Sequence, residues 1–462
     1  MMTTVELPLW LFVLIVLFAA VTFASHFLFP SVRWFFRRRL ERAVARLNER
    51  LTRPIEPFKL ARRYDMIQRL IYDPEVTEAI VAHAEEHDVP ENVAFEQARR
   101  YAREIVPSFS AFTYFSFGAR AARWLATALY DVRTGLNNDQ QIQSVDPDAT
   151  VVFVMNHRSN MDYVLVTYLA ARASALSYAV GEWARVWPLS RLIKSMGAYF
   201  IRRKSRGALY RRVLSRYVQM ATEGGVTQAI FPEGGLSVNG RLMPLKMGLL
   251  SYVVEGYDPK KRDVVFVPVA INYDRVLEDR VLIAADQRGD RRFGVSITVV
   301  MAAILRLLWQ WVTRRYRKFG TASVVFGPPV SLAALGRNRD LDDLADTLRD
   351  SIQDVMPVPF VPLLARLFLT TGDPIPDADL VPAVKSAMPT MRGTRPPLHE
   401  DELADRVQRA REDMQRRGMI QDTPGGWAAA SEELALFRFY ANSIDDLYPD
   451  HVTPLDAAPA KS

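Results

Sequence analysis

The chain contains no cysteine. That absence excludes disulfides, thiol nucleophiles, cysteine-based zinc sites and iron–sulfur clusters together, and it suits a reducing compartment. Histidine is scarce, with six among 462 residues. Residues 7–29, "LPLWLFVLIVLFAAVTFASHFLF", lack Asp, Glu, Lys and Arg altogether. There is no internal repeat and no low-complexity tract, and 49% hydrophobic against 24% charged residues excludes wholesale disorder. Two familiar motifs are missing as well. Gly235 and Gly240 have the glycine spacing of a nucleotide P-loop, but Arg241-Leu242 stands where Lys followed by Ser or Thr is needed. The segment "GLSVNG" is not the G-x-S-x-G elbow of serine hydrolases.

What is present begins with charge. The formal net charge is +7 and the pI about 9.5, with arginine far ahead of lysine. A basic balance points to an anionic partner: nucleic acid, a phospholipid surface or a phosphorylated substrate. The uncharged run at 7–29 is long enough for a helix to cross a bilayer. Arg33, Arg37, Arg38, Arg39, Arg42, Arg46 and Arg50 follow it, interleaved with Trp34, Phe35 and Phe36. The positive-inside rule keeps such a flank cytoplasmic. The expectation is a transmembrane helix at 1–32, not a cleaved signal peptide, which would want a basic start and a shorter apolar core.

Residues 33–135 read as a basic juxtamembrane and helical region. Asp73-Pro74 has the form of an N-cap followed by proline in the first turn, and Val76, Ile80 and His83/Ala84 follow at helical spacing. A polar, turn-rich stretch at 135–149 makes a boundary. Beyond it, over 136–335, short apolar runs alternate with helical stretches: 150–156, 175–181, 197–203, 226–235, 264–274 and a last one near 322–332. Near-continuous apolar strands of this kind predict an α/β domain, a largely parallel sheet covered by helices on both faces. Residues 295–318 are apolar and then basic, which suits a buried or an interfacial helix. Residues 336–462 are expected to be mostly helical.

The strand at 150–156 ends in "NHRSNMD". Ser159 as a helix N-cap with Asp162 three residues on accounts for those two residues and leaves His157 and Arg158 unexplained. Ligands of α/β sheets sit beyond the carboxyl ends of strands, where this corner lies. A histidine and an aspartate five apart can meet there, the carboxylate accepting the imidazole Nδ1–H and leaving Nε2 to take a proton from a substrate hydroxyl. A second polar cluster, "FPEGGLSVNGRLMPLKMG" at 231–248, holds Glu233 in a glycine turn with Arg241 and Lys246 behind it. A third, "GAYFIRRKSRG" at 197–207, sets Arg202 and Arg203 directly after a strand, where guanidinium groups can grip phosphate bidentately.

In that order, "HRSNMDYVL", "GAYFIRR", "FPEGGLSVNGRLMPLKMG" and "VFVPVAINYD" resemble the four sequence blocks of the glycerophospholipid acyltransferase superfamily. The wording is similar to the membrane-bound bacterial glycerol-3-phosphate acyltransferase branch, and "ARRYAREI" and "FYANSIDDLYP" resemble its flanking parts. The resemblance implies acyl transfer from acyl-CoA or acyl carrier protein to the 1-hydroxyl of glycerol 3-phosphate at a cell membrane, on the cytoplasmic side, with no metal and no resident cofactor. It implies His157 as general base and Asp162 as its orienting partner, within a block that also contains Arg158 and Ser159. It implies Arg202 or Arg203 on the acceptor phosphate, Glu233, Gly234 and Ser237 shaping the acceptor site, and Pro268 beside the acyl path. The third block departs from the family pattern. Leu236 occupies the place of an arginine used for phosphate, which leaves Arg241 or Lys246 as substitutes and weakens the acceptor assignment. Lysophosphatidic acid or another lysophospholipid is the alternative acceptor. From another class, the basic charge and the segment "LADRVQRAREDMQRRGMIQDTPGGW" would suit a membrane-tethered protein binding nucleic acid or anionic lipid, but a pure binder has no use for a His–Asp pair at a strand end.

Overall fold

The computed structural model describes residues 8–18, 38–39, 42–135, 138–171, 174–181, 189–202, 207–289, 309, 313, 317–336, 340–388 and 400–449. Met1–Pro54 forms one compact unit and Ile55–Ser462 another. In the first, residues 9–18 are helical. Among the described residues no helix is long and apolar enough to cross a membrane. The remainder of the expected span, Arg203 and nearly all of 295–318 lie outside the described residues.

After a short helical turn, Pro57–Leu60, the second unit has three helices, α1 (Arg63–Ile71), α2 (Pro74–Glu86) and α3 (Glu91–Ile105). Asp73 caps α2 as its sequence suggests, accepting from the Glu75 N–H, and Val76, Ile80 and Ala84 face the core. A π-helical turn, Thr113–Gly118, leads into α4 (Ala119–Leu129). The sheet begins earlier than the sequence suggests, with β1 (Asp131–Thr134). Its residues "DVRT" have no apolar run, because β1 is an edge strand that packs little on either side.

The remaining strands are β2 (Thr150–Met155), β3 (Ser177–Val180), β4 (Tyr199–Phe200), β5 (Gln228–Ile230), β6 (Val264–Tyr273), β7 (Thr321–Phe326) and β8 (Val330–Ser331). They lie in the order β1-β7-β6-β2-β5-β3-β4, with β8 also paired to β6. From β6 to β4 every neighbouring pair is parallel, and β7 and β8 run antiparallel to β6. All residues of β2 and β6 are buried, as strands covered on both faces must be. Helix α5 (Met161–Ala170) follows β2 and packs on α4, while α6 (Ala208–Glu223) packs against α2 and α3.

Strand β6 outruns β2. The two pair as far as Met155 opposite Val269, then β2 turns away while β6 continues to Tyr273 against β7. The Asn156 side chain extends the ladder past the strand end. Its Nδ2 donates to the Ile271 carbonyl at 2.9 Å and its Oδ1 accepts the Ile271 N–H at 2.7 Å. Pro268 sits inside β6 opposite Val154, at the gap between the β8 and β7 pairings, where a strand residue without an N–H can be accommodated.

The C-terminal part is not purely helical. After α7 (Leu341–Asp354), α8 (Phe360–Thr371), α9 (Asp377–Ala387) and α10 (Glu400–Arg416), a two-stranded hairpin, β9 (Ile420–Thr423) and β10 (Gly426–Ala429), precedes α11 (Leu434–Ala441). Trp427 ties the hairpin down, donating its indole N–H to Asp377 at 2.9 Å. Helix α11 packs on α8 and belongs to the same compact unit as the sheet.

Candidate active site

Because β2 to β6 are parallel, their carboxyl ends share one edge of the sheet. The corner 156–160, the loop after β5, the end of β6 and the residues after β4 therefore all lie along that edge. His157 is 3% exposed and Asp162 fully buried. The His157 Nδ1 lies 2.9 Å from the Asp162 Oδ2. The same oxygen accepts the backbone N–H of Arg158 at 2.7 Å and of Ser159 at 3.0 Å. The Tyr273 hydroxyl donates to the other oxygen, Oδ1. With Nδ1–H donating to Asp162, the lone pair of His157 falls on Nε2.

The histidine backbone is held from both sides. Its N–H donates to the Glu233 Oε1 at 2.7 Å and its carbonyl accepts the Ser237 N–H at 2.9 Å. Glu233 also accepts the Met243 N–H at 3.2 Å through Oε2, so one carboxylate staples the corner to the loop after β5. Burial pushes the Glu233 carboxyl up to about 8, against the pull of the His157 N–H and the Arg158 guanidinium. The imidazole ring lies 4.3 Å from Phe231 and edge-on to Tyr163 at 5.3 Å. An aromatic wall therefore stands beside the imidazole.

Several residues expected on the substrate side are engaged within the protein. Arg158 is buried and donates to the carbonyls of Gly240 and, at 3.2 Å, Ser443, tying the corner to the loop and to the segment after α11. Burial lowers its pKa, and Glu233 and Asp162 oppose that shift. Ser159 and Asp162 meet at the start of α5 as the sequence leads one to expect, the carboxylate accepting the Ser159 N–H. The Ser159 hydroxyl accepts the Met161 N–H at 3.1 Å and donates to Glu278 at 2.7 Å. The Ser237 hydroxyl donates to the Arg241 carbonyl at 2.7 Å. Arg241 pairs with Asp445 at 3.2 Å and Asp446 at 3.5 Å. Arg202 is gripped bidentately by Glu104 of α3 at 2.8 and 2.6 Å, which raises its pKa. Pro268 is buried within the sheet. The expected direct contacts of these side chains with substrate thus have competitors already in place, because a buried or half-buried polar group needs a partner in the folded chain.

Gly234 and Lys246 remain on the open side. Gly234 has φ +73°, a conformation that glycine adopts without strain, and the Lys246 side chain lies against it, its Cδ 3.2 Å from where a Cβ would stand. Lys246 itself is exposed, while its N–H bonds to the Pro232 carbonyl at 2.9 Å.

Sequence reasoning missed Tyr273, Glu278, Phe231 and Tyr163. Glu278, whose carboxyl is raised by burial, also accepts the Asn160 N–H at 3.2 Å and side-chain amide at 3.0 Å, fixing the first turn of α5. Tyr273 and Glu278 flank the end of β6, and that polar strand end was the one available signal.

With this geometry in place, comparison with known proteins is decisive for the domain. Residues 136–272 match the protein-family model described as Acyltransferase. The chain carries an acyltransferase domain. Curated relatives named glycerol-3-phosphate acyltransferase include those of Pseudomonas entomophila (strain L48) and Pseudomonas syringae pv. tomato (strain ATCC BAA-871 / DC3000). They are 31% and 30% identical to it over 278 residues, 59% of this chain. The chain spans about a third of the length of these relatives, the alignment covering 32% of each. Among solved structures, a 1-acyl-sn-glycerophosphate acyltransferase from Thermotoga maritima matches with TM-score 0.32 and 20% identity, over 52% of this chain and 75% of that one.

Tyr273→Phe removes the hydroxyl that serves the Asp162 Oδ1 inside the core. A buried acceptor left unpaired typically costs about 1–3 kcal/mol. Denaturant unfolding is expected to show a loss of that size. A change of less than about 0.5 kcal/mol, the usual range for an uninvolved surface position, would mean that Tyr273 does not support the aspartate.

Proposed function

We propose that the acyltransferase domain moves a fatty acyl group from a thioester, acyl-CoA or acyl carrier protein, to the 1-hydroxyl of glycerol 3-phosphate, yielding lysophosphatidic acid. The observation that carries this reading is the His157–Asp162 pair at the carboxyl end of β2. Asp162 receives Nδ1–H, so Nε2 is free to take the proton of a hydroxyl as its oxygen attacks the thioester carbonyl. The C–S bond then breaks and the leaving thiolate recovers the proton from the imidazolium. The names of the curated relatives support the acceptor. Roles follow from position: His157 the base, Asp162 its orienting carboxylate, Glu233 and Ser237 the groups that hold the base's backbone.

For the acceptor phosphate, the exposed Lys246 beside Gly234 is the first choice among described residues; Arg203, expected there from its sequence block, lies outside them. Arg202 enters only by exchanging Glu104 for phosphate. A lysophosphatidic acid acceptor is the second reading. Leu236 at the block's usual arginine position keeps it open.

Membrane attachment, with the domain on the cytoplasmic side, is the third part of the proposal. Its support is the uncharged run at 7–29 with the arginine flank, together with one face of the described structure. Phe112, Phe117 and Trp124 are 70%, 56% and 63% exposed on the π-turn and α4, and Arg120 and Arg123 are exposed beside them. Exposed aromatics among arginines suit the interface of an anionic bilayer. The opposite side of α4 rests on α5, the helix that carries Asp162.

Three outcomes are expected. His157→Ala abolishes acyl transfer in a folded protein, a loss of at least ~10²-fold, and retention of a tenth of wild-type turnover would remove His157 as the base. Lys246→Ala raises KM for glycerol 3-phosphate about tenfold or more, the cost of one charge-assisted contact, and leaves KM for the thioester unchanged. The opposite pattern would place Lys246 on the donor. Deleting residues 1–30 weakens co-sedimentation with anionic vesicles, and adding Phe117→Ala and Trp124→Ala releases the rest. Full release by the deletion alone would show that the α4 face does not touch the membrane.

A further inference from the structure

Away from the catalytic edge, the last turn of α2 reads "HAEEH", residues 83–87. His83 and His87 are four apart and Glu86 three from His83, so a helix brings all three to one side. One ring nitrogen of each histidine and a carboxylate oxygen of Glu86 lie within 4.8 Å of one another. The two imidazole ring centres are 4.1 Å apart. His83 is half-buried, and the other two are exposed.

We propose that His83, Glu86 and His87 form a site for a divalent transition-metal ion with nitrogen and oxygen preference, Zn²⁺ first. The donor set selects the class. Two imidazoles and one carboxylate suit zinc and its neighbours, whereas magnesium and calcium take oxygen ligands and keep water. Tetrahedral zinc with bonds of about 2.0–2.1 Å needs its ligand atoms about 3.3 Å apart. Exposed side chains close the remaining gap by small rotations, with no backbone movement. Water fills the fourth position, so the ion exchanges readily.

Two further features of the turn favour a cation. The cluster stands at the carboxyl end of α2, where the helix dipole is negative. The His87 Nδ1 also lies 3.2 Å from the His83 carbonyl oxygen. In the Nδ1–H tautomer it donates there, the outer contact that metal-bound histidines commonly make, and Nε2 carries the lone pair. The next residue, Asp88, has φ +52°, the one positive φ of a non-glycine among the described residues. A bound ion would therefore clip the strained turn between α2 and α3, and α3 carries the Glu104 that holds Arg202.

The test uses the full chain without a histidine tag, stripped with chelator and titrated calorimetrically with ZnCl₂ and, in parallel, MgCl₂. The expected result is one Zn²⁺ site that Mg²⁺ does not fill. His83→Ala and His87→Ala each weaken it about tenfold or more, Glu86→Gln weakens it less, and the double histidine variant loses it. Circular dichroism checks that the variants keep their helix content. Absence of Zn²⁺ uptake by the wild type overturns the proposal. So does a double variant that is folded and binds Zn²⁺ with unchanged stoichiometry and affinity.

Discussion

Everything at the carboxyl edge of the parallel strands depends on one buried carboxylate. Asp162 collects donors from the His157 ring, the N–H groups of Arg158 and Ser159, and the Tyr273 hydroxyl. No single one of these contacts needs to be strong. Together they bring the corner after β2, the first turn of α5 and the end of β6 into one constellation. A buried anion without such donors would be costly enough to be driven neutral, and a neutral carboxyl could not hold the Nδ1–H tautomer as firmly. The orientation of the imidazole and the local fold are thus the same interaction seen from two sides.

The second carboxylate does for the main chain what the first does for the side chain. Glu233 joins the His157 N–H to the Met243 N–H, and Ser237 returns an N–H to the His157 carbonyl. Arg158 then extends the brace to Gly240 and Ser443. Gly240 has φ +83°, and a Cβ there would collide with the Phe439 carbonyl, so the loop and the C-terminal segment meet with no room for a side chain. Arg241 crosses to Asp445 and Asp446 at the same junction. This is why residues after 430 look like part of the domain although they are far from it in sequence. They supply acceptors that the third block cannot supply itself.

The sheet and the His–Asp pair were legible because both are local. A strand buried on both faces announces itself in "VVFVM", and a five-residue spacing across a helix start limits where two side chains can go. Edge strand β1 and the β9–β10 hairpin were not legible, since "DVRT" and "IQDT" carry no period that favours a strand over a loop. The internal partners of the substrate-side arginines were hidden for a different reason. Arginines after a strand look available in a sequence, but their counter-charges come from remote segments: Glu104 is 98 residues from Arg202, and Asp445 is 204 residues from Arg241. Tyr273 escaped for the same cause, 111 residues from the aspartate it serves.

The division of labour at this edge follows from those partnerships. A side chain that positions a catalytic group gains from being fixed before substrate arrives, because no reorganisation then remains for the reaction step. A side chain that recognises an incoming phosphate must instead exchange solvent for ligand, and a prior bidentate carboxylate raises the cost of that exchange. Glu233, Ser237, Arg158 and Tyr273 belong to the first kind, each with its partners inside the chain. Lys246 has the exposure of the second kind, and Gly234 leaves space beside it. Arg202 is of the first kind while Glu104 holds it, anchoring the end of β4 to α3 and to the rings of Tyr101 and Tyr210, 5.3 and 5.9 Å from its guanidinium carbon. It would change kind only if a phosphate outcompeted that carboxylate, and the Arg202–Glu104 pair would then couple phosphate binding to the helical layer.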